Sequence, residues 1–351
     1  MTEEILNPEE SQPEVGELYE RYRVVVDKGQ TLLRLDKYLQ MHIEGVSRTK
    51  IQAATKADCV LVNGKTTKSN YRVKPLDVIT VLLPEPPHEV EILPEDIPLD
   101  IVYEDDDVIV INKQPDLVVH PGVGNYTGTL LNALAFYFDG KKGKDGQPIT
   151  PYLCHRIDKN TSGLLLVAKN EDAQIYLAKQ FFDHTIERKY NALVWGDFSE
   201  EDGTVVGNIG RSIRDRKVMA VYPPDSEIGK HAVTHYHVKE RFGYITWIEC
   251  VLETGRTHQI RAHMKHIGHP LFNDETYGGD QILKGTTFSK YKQFVTNCFN
   301  LLPRQALHAA ILGFEHPTSH KQMHFESELP TDMQSVITKW RTYCSSHNTD
   351  E

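Results

Sequence analysis

The sequence predicts an α+β fold in two parts: a small basic α/β unit, then a larger, mainly antiparallel mixed sheet flanked by helices. Three observations predict it. Short segments with strand composition or period-two alternation recur between single helical segments, without the regular βαβ alternation of a parallel sheet. Charge is partitioned along the chain: residues 1–20 carry −7, 21–84 carry +7, 85–107 carry −10, and the remainder is neutral. Residues 84–98 hold five prolines among acids, the composition of an extended linker. The expected organisation is therefore an acidic, disordered tail over 1–17, a basic unit over 18–84, a linker over 85–100 and a large unit over 101–345.

In the basic unit, Leu32, Leu35, Leu39 and Ile43 recur at helical spacing. Ser47 is placed to cap a second helix through Ile51, Ala54 and Ala57. Val60–Val62, the Asn63-Gly64 turn pair and Val78–Leu83 supply a hairpin. Beyond the linker, Ile101–Lys113 reads as strand, acidic turn and strand. Thr129–Phe138 reads as a helix, Leu164–Ala168 as a buried strand, and Glu171–His184 as an amphipathic helix. Tyr190–Trp195, Thr234–Lys239 and Tyr244–Leu252 are strands, and Thr257–Ile267 is a helix closed by Gly268.

Composition narrows the function classes. The chain has 351 residues, 39 Lys and Arg against 49 Asp and Glu, and a net charge of −10. No apolar run approaches the roughly 18 residues of a membrane span, and the acidic start lacks the features of a secretory leader. Five scattered cysteines with no C-x-x-C pair argue against a disulfide scaffold or a zinc–thiolate site, so a reducing, cytoplasmic setting is expected. The acidic total conceals the positive 21–84 segment, and clustered positive charge is the electrostatic footprint of phosphate binding. His258, His263, His266 and His269 cluster in sequence but fit no standard zinc spacing, so no metal is expected.

Four segments carry the chemistry. They are His155-Arg156-Ile157-Asp158-Lys159-Asn160-Thr161-Ser162-Gly163-Leu164, Arg188-Lys189-Tyr190-Asn191-Ala192, Glu253-Thr254-Gly255-Arg256-Thr257-His258-Gln259-Ile260-Arg261, and Leu307-His308-Ala309-Ala310. Together, and in this order, they resemble the motifs of the RluA family of RNA pseudouridine synthases. Asn112-Lys113, followed by Leu117–Gly122 and Gly128-Thr129-Leu130, is closest to its RluD-like branch, as are Arg216-Lys217-Val218 and Ala232–Tyr236. The basic unit resembles the αL-type (ribosomal-protein-type) RNA-binding domain that precedes the catalytic domain in many members. The likeness spans about residues 18–340 and departs in two places: Ile157 stands where the family usually has Leu, and Gln114 stands where it has Pro.

The resemblance implies an isomerase that turns uridine into pseudouridine in large-subunit ribosomal RNA or a pre-ribosomal particle. It implies no cofactor, no membrane partner and action as a monomer. The alternative is a non-catalytic assembly factor using the same fold to bind RNA. Asp158 matches the family's catalytic carboxylate; taken alone, an Asp before Asn160-Thr161-Ser162-Gly163 is an ordinary turn residue. Arg261 matches the arginine paired with that carboxylate, and Tyr190 matches the aromatic residue against the uracil. Ile260 matches the apolar residue on the uracil face. Arg156, with His155 and Arg256, is expected to hold the flipped-out nucleotide. Arg34, Lys37, Arg48, Lys50, Lys56, Lys65 and Lys68 are the expected phosphate contacts of the basic unit.

Overall fold

The computed structural model describes residues 18–43, 46–84, 92–122, 125–215 and 218–347. The expected tail over 1–17, linker residues 85–91 and the Arg216-Lys217 pair lie outside them.

The N-terminal part is built from β1 (Leu18–Val25), α1 (Leu35–His42), α2 (Arg48–Lys56), β2 (Val60–Val62), β3 (Lys65–Thr66) and β4 (Val78–Pro84). Its four strands lie in the order β1-β4-β2-β3, all pairs antiparallel. Ser47 caps α2 by accepting the Lys50 N–H. Asn63 and Gly64 turn the β2–β3 hairpin with φ of 52° and 76°, as a type I′ turn requires. The two helices are tied by the fully buried Asp36, which accepts from Arg34, Arg48 and Gln52.

The larger part opens with β5 (Ile101–Glu104), β6 (Val108–Lys113), α3 (Leu130–Phe138), β7 (Tyr152–Leu153), β8 (Ser162–Ala168) and α4 (Glu171–Phe182). It continues through β9 (Glu187–Trp195), β10 (Asp202–Arg211), β11 (Met219–Tyr222), β12 (Lys230–Arg241), β13 (Ile245–Leu252) and α5 (Gln259–His266). It closes with α6 (Ser289–Leu301), β14 (Leu307–Glu315), β15 (Gln322–Glu326) and α7 (Thr331–His347). The strands form one eleven-stranded sheet, with path β11-β10-β12-β13-β9-β14-β8-β6-β5, β15 on β14 and β7 on β8. Of its pairings among the described residues, only β8–β14 is parallel. That pairing brings Ser162 and Gly163, at the start of β8, against His308 and Ala309 at the centre of the sheet.

Every residue of β8 is buried, as its unbroken apolar run predicts for a strand covered on both faces. β13 alternates instead, with one face in the core. Two expectations are revised. The helix expected from Thr257 starts at Gln259, because His258 takes a left-handed conformation (φ 53°) that helical backbone cannot include. The described part of the linker is extended but docked: Ile92, Ile97 and Leu99 pack on the large core, and Asn132 on α3 donates to the Leu93 carbonyl.

α4 joins the two parts. Its Ile175 and Ala178 belong to the apolar core of the N-terminal unit, while Ala173, Leu177 and Phe181 pack against β8 and β14. Lys50 of α2 forms an ion pair with Glu171 at its start, 2.7 Å.

Candidate active site

The loop between β7 and β8 carries Asp158, and three consecutive backbone carbonyls hold it in place. The Asp158 carbonyl accepts from Thr161 N–H at 3.0 Å. The Lys159 carbonyl accepts from Lys113 Nζ at 2.9 Å. The Asn160 carbonyl accepts from Arg304 Nη1 at 3.0 Å. Lys113 is fully buried at the end of β6 and also donates to the Gln114 and Leu117 carbonyls, so all its ammonium protons have acceptors. Arg304 is anchored in turn by Asp332. His155 closes the loop from the other side: its Nε2 accepts the Leu166 N–H at 2.9 Å, and burial, with the Arg188 charge, pushes its pKa down to about 3. His155 is thus a neutral ring whose nitrogen is committed to the backbone. Only the ring remains to line the cavity.

Asp158 is partly exposed, and its Oδ2 accepts from Arg261 Nη1 at 2.9 Å. The opposite edge of the guanidinium donates twice to the buried Asp274, at 2.7 and 2.9 Å. Its central carbon lies over the Tyr277 ring, 5.0 Å from the centroid. One arginine therefore bridges two carboxylates, one enclosed and one facing the cavity. Burial would push Asp158 towards its neutral form. The His258 ring, whenever it takes up a second proton, and the guanidinium charges of Arg261 and Arg156, with the hydrogen bond from Arg261, outweigh it and hold the carboxyl below its ordinary pKa.

His258 Nε2 stands 3.9 Å from Asp158 Oδ1, and its Nδ1 is 3.0 Å from the Tyr277 hydroxyl. That hydroxyl accepts the Met219 N–H, which leaves its own proton for Nδ1. The assignment that satisfies all three groups puts the neutral ring's proton on Nε2, facing the carboxylate. The turn before α5 is set by Gln259, whose buried amide accepts from Thr254 and Arg256 and donates to Val233 and Thr234.

Tyr190 rises from β9 with 7% of its surface exposed, and its hydroxyl has no hydrogen-bond partner among the described residues. Burial pushes its pKa up; the Arg188 charge opposes this and the Asp158 charge adds to it. The ring is therefore suited to stacking rather than to accepting a proton. Ile260, in the first turn of α5, is buried. Asp158, Tyr190, Ile260 and Arg261 all line one cavity of about 420 Å³, with Arg156 and Arg256 beside it. That volume falls within the roughly 300–1,000 Å³ of small-molecule sites. Arg156 is exposed and donates to Thr257 at 2.8 Å, while Arg256 donates to the His231 carbonyl. Asp158 also borders a second, polar hollow of about 360 Å³, with Lys159, Asp274 and Arg304.

A family model of RNA pseudouridylate synthases matches residues 107–266. A protein of Chlorobaculum parvum named uncharacterized RNA pseudouridine synthase is 47% identical over 90% of this chain and 97% of its own length. The ribosomal large subunit pseudouridine synthase D of Escherichia coli is 40% identical over 92% and 95%. The chain belongs to the RluA family of RNA pseudouridine synthases. Among solved structures, human RNA pseudouridylate synthase domain containing 4 shares the fold, with a TM-score of 0.54 at 23% identity over 69% of this synthase and 93% of its own chain.

The synthase's expected phosphate contacts divide into two groups. Arg34 and Arg48 are paired with Asp36, and Lys50 is paired with Glu171. Lys37, Lys56, Lys65 and Lys68 are exposed, with no ion pair among the described residues. The four clustered histidines diverge: His258 faces Asp158, His263 bonds Thr234 and His269 bonds the Trp195 carbonyl, while His266 is exposed at the end of α5. Sequence reasoning assigned no role to Lys113, His258, Asp274, Tyr277 or Arg304. Lys113 and His258 stand inside the family-like motifs, so a signal was available. Asp274 and Arg304 lie in segments with no recognisable pattern.

Proposed function

We propose that this synthase isomerises uridines of large-subunit ribosomal RNA, with ionised Asp158 acting at C1′ of the target nucleotide. The reading of the RNA target is supported by the 40% identity to a large-subunit synthase over nearly the full length of both chains. The reading of the site is carried by one observation: Asp158 is kept anionic by Arg261 at the wall of a cavity that Tyr190 and Ile260 also line.

The chemistry follows from that arrangement. A uridine leaves the stack and enters the cavity, its base against Tyr190 and Ile260, while Arg156 holds the RNA at the mouth. Breaking the N1–C1′ bond builds positive charge on the sugar, which the Asp158 carboxylate stabilises. The base turns in place, C5 joins C1′, the C5 proton leaves to solvent and N1 takes up one in its place, so the product is an isomer of the substrate. No atom is added beyond that proton exchange and no electrons are transferred, so the reaction calls for no redox partner. Residues 18–84 act as the RNA-binding domain and 101–345 as the catalytic domain. The protein works as a cytoplasmic monomer; its five cysteines are unpaired, and no described helix is long and apolar enough to cross a membrane.

Asp158→Asn preserves shape and removes the charge. Tritium release from C5-labelled uridine in a large-subunit transcript should fall by roughly 10³-fold or more, while RNA affinity changes little. Undiminished release would remove Asp158 from the mechanism, and free uracil in the mixture would indicate hydrolysis instead.

A further inference from the structure

Arg188 and Tyr190 are two residues apart on β9, so their side chains leave the same face of the sheet. Arg188 is 6% exposed and lines the Asp158 cavity. It has no carboxylate partner and no hydrogen bond, and its buried Nε is unsatisfied among the described residues. The other buried arginines of the larger part differ: Arg261 holds Asp158 and Asp274, and Arg304 holds Asp332. Its neighbours include the Tyr190 phenol, an aromatic ring and a like charge, and no carboxylate pairs with it among the described residues. The Phe181 ring lies 5.3 Å from the guanidinium carbon, and Arg256 is a neighbouring like charge. Space for the guanidinium is reserved by Gly255, where a Cβ would stand 2.6 Å from Nη1.

A buried cation without an anion is costly, and its retention implies a ligand that supplies the missing charge. We propose that Arg188 is a phosphate-binding residue, pairing with a phosphodiester oxygen beside the flipped uridine. The inference rests on the isomerase reading and deepens it by naming a second RNA contact in the cavity lining. Phosphate is the anion that RNA offers, and a guanidinium matches it with paired N–H donors. A uracil keto oxygen would accept those donors but leave the charge uncompensated.

The test compares full-length wild-type protein with Arg188→Met and Gly255→Ala on an unmodified large-subunit ribosomal RNA transcript. Tritium release by the wild type checks the isomerase reading independently. For Arg188→Met, the melting temperature of the free protein should hold or rise, because an unpaired buried charge is removed. RNA affinity should fall by about tenfold. The slope of log affinity against log salt should become shallower by about 0.7–0.9, because one fewer phosphate is neutralised. Gly255→Ala keeps the charge but displaces the guanidinium, and should weaken RNA binding with the fold intact. A lower melting temperature with unchanged RNA affinity would make Arg188 a structural residue and overturn the proposal. Weaker binding with an unchanged salt slope would also overturn it, pointing to a neutral acceptor on the base.

Discussion

Asp158 is the residue on which the proposed chemistry turns, and its protonation is governed by neighbours far away in sequence. With its pKa held below the ordinary carboxylate value, it stays ionised into mildly acidic solution. The acid limb of the single-turnover rate, where it reports this group, should lie below the ordinary aspartate range. Arg261→Lys tests the cause. A lysine ammonium is one compact charge and cannot reproduce the three directed bonds to Asp158 and Asp274. Weakening the cation raises the Asp158 pKa, so the acid limb should move to higher pH and the rate near neutrality should fall by about tenfold or more. A rate profile superimposable on that of the wild type would show that Arg261 does not set the charge state.

At the scale of elements, the active loop depends on how β8 meets β14. Gly163 has φ of 110°, and a Cβ there would lie 2.1 Å from the Ala309 carbonyl oxygen. Neither the backbone conformation nor the strand partner can yield cheaply, so Gly163→Ala should destabilise the protein by more than about 4 kcal/mol, read as a large drop in melting temperature or as insoluble protein. Most elements were legible because their cues are local: the Ser47 cap, the Asn63-Gly64 turn, the continuous apolar run of β8 and the alternation of β13. β1 was not legible. It is an edge strand with mostly exposed or half-buried residues and an irregularity between Glu20 and Tyr22, so it has no clean period. α7 was missed although Met333, Val336, Ile337 and Trp340 follow helical spacing and are all buried. In the site, the motifs brought Asp158, Tyr190, Ile260 and Arg261 to notice. The bonds from Lys113 and Arg304 to the loop cross 46 and 144 residues, and no local pattern encodes such contacts.

For the whole molecule, charge is sorted by position rather than by total. Lys37, Lys56, Lys65 and Lys68 are exposed without ion pairs among the described residues, whereas Arg34, Arg48 and Lys50 are engaged in holding the N-terminal unit together and onto α4. Replacing the four lysines by Ala should weaken RNA binding and flatten its salt dependence by about 0.7–0.9 for every phosphate left without its lysine, with the melting temperature unchanged. Replacing Arg48 by Ala should instead lower the melting temperature, because it strips a partner from the buried Asp36 carboxylate. A binding isotherm indifferent to the four lysines would move the RNA track elsewhere on the surface.

α4 packs against the core of the N-terminal unit on one side and against β8 and β14 on the other; its Phe181 ring contacts Arg188, and Leu18 of the N-terminal unit borders the same cavity. A helix gripped from two sides has little slack. Under the proposed reading, in which the N-terminal unit grips RNA, a tug by a long RNA on that unit would pass through α4 to the lining of the pocket and couple the grasp of the polymer to the seat for one nucleotide.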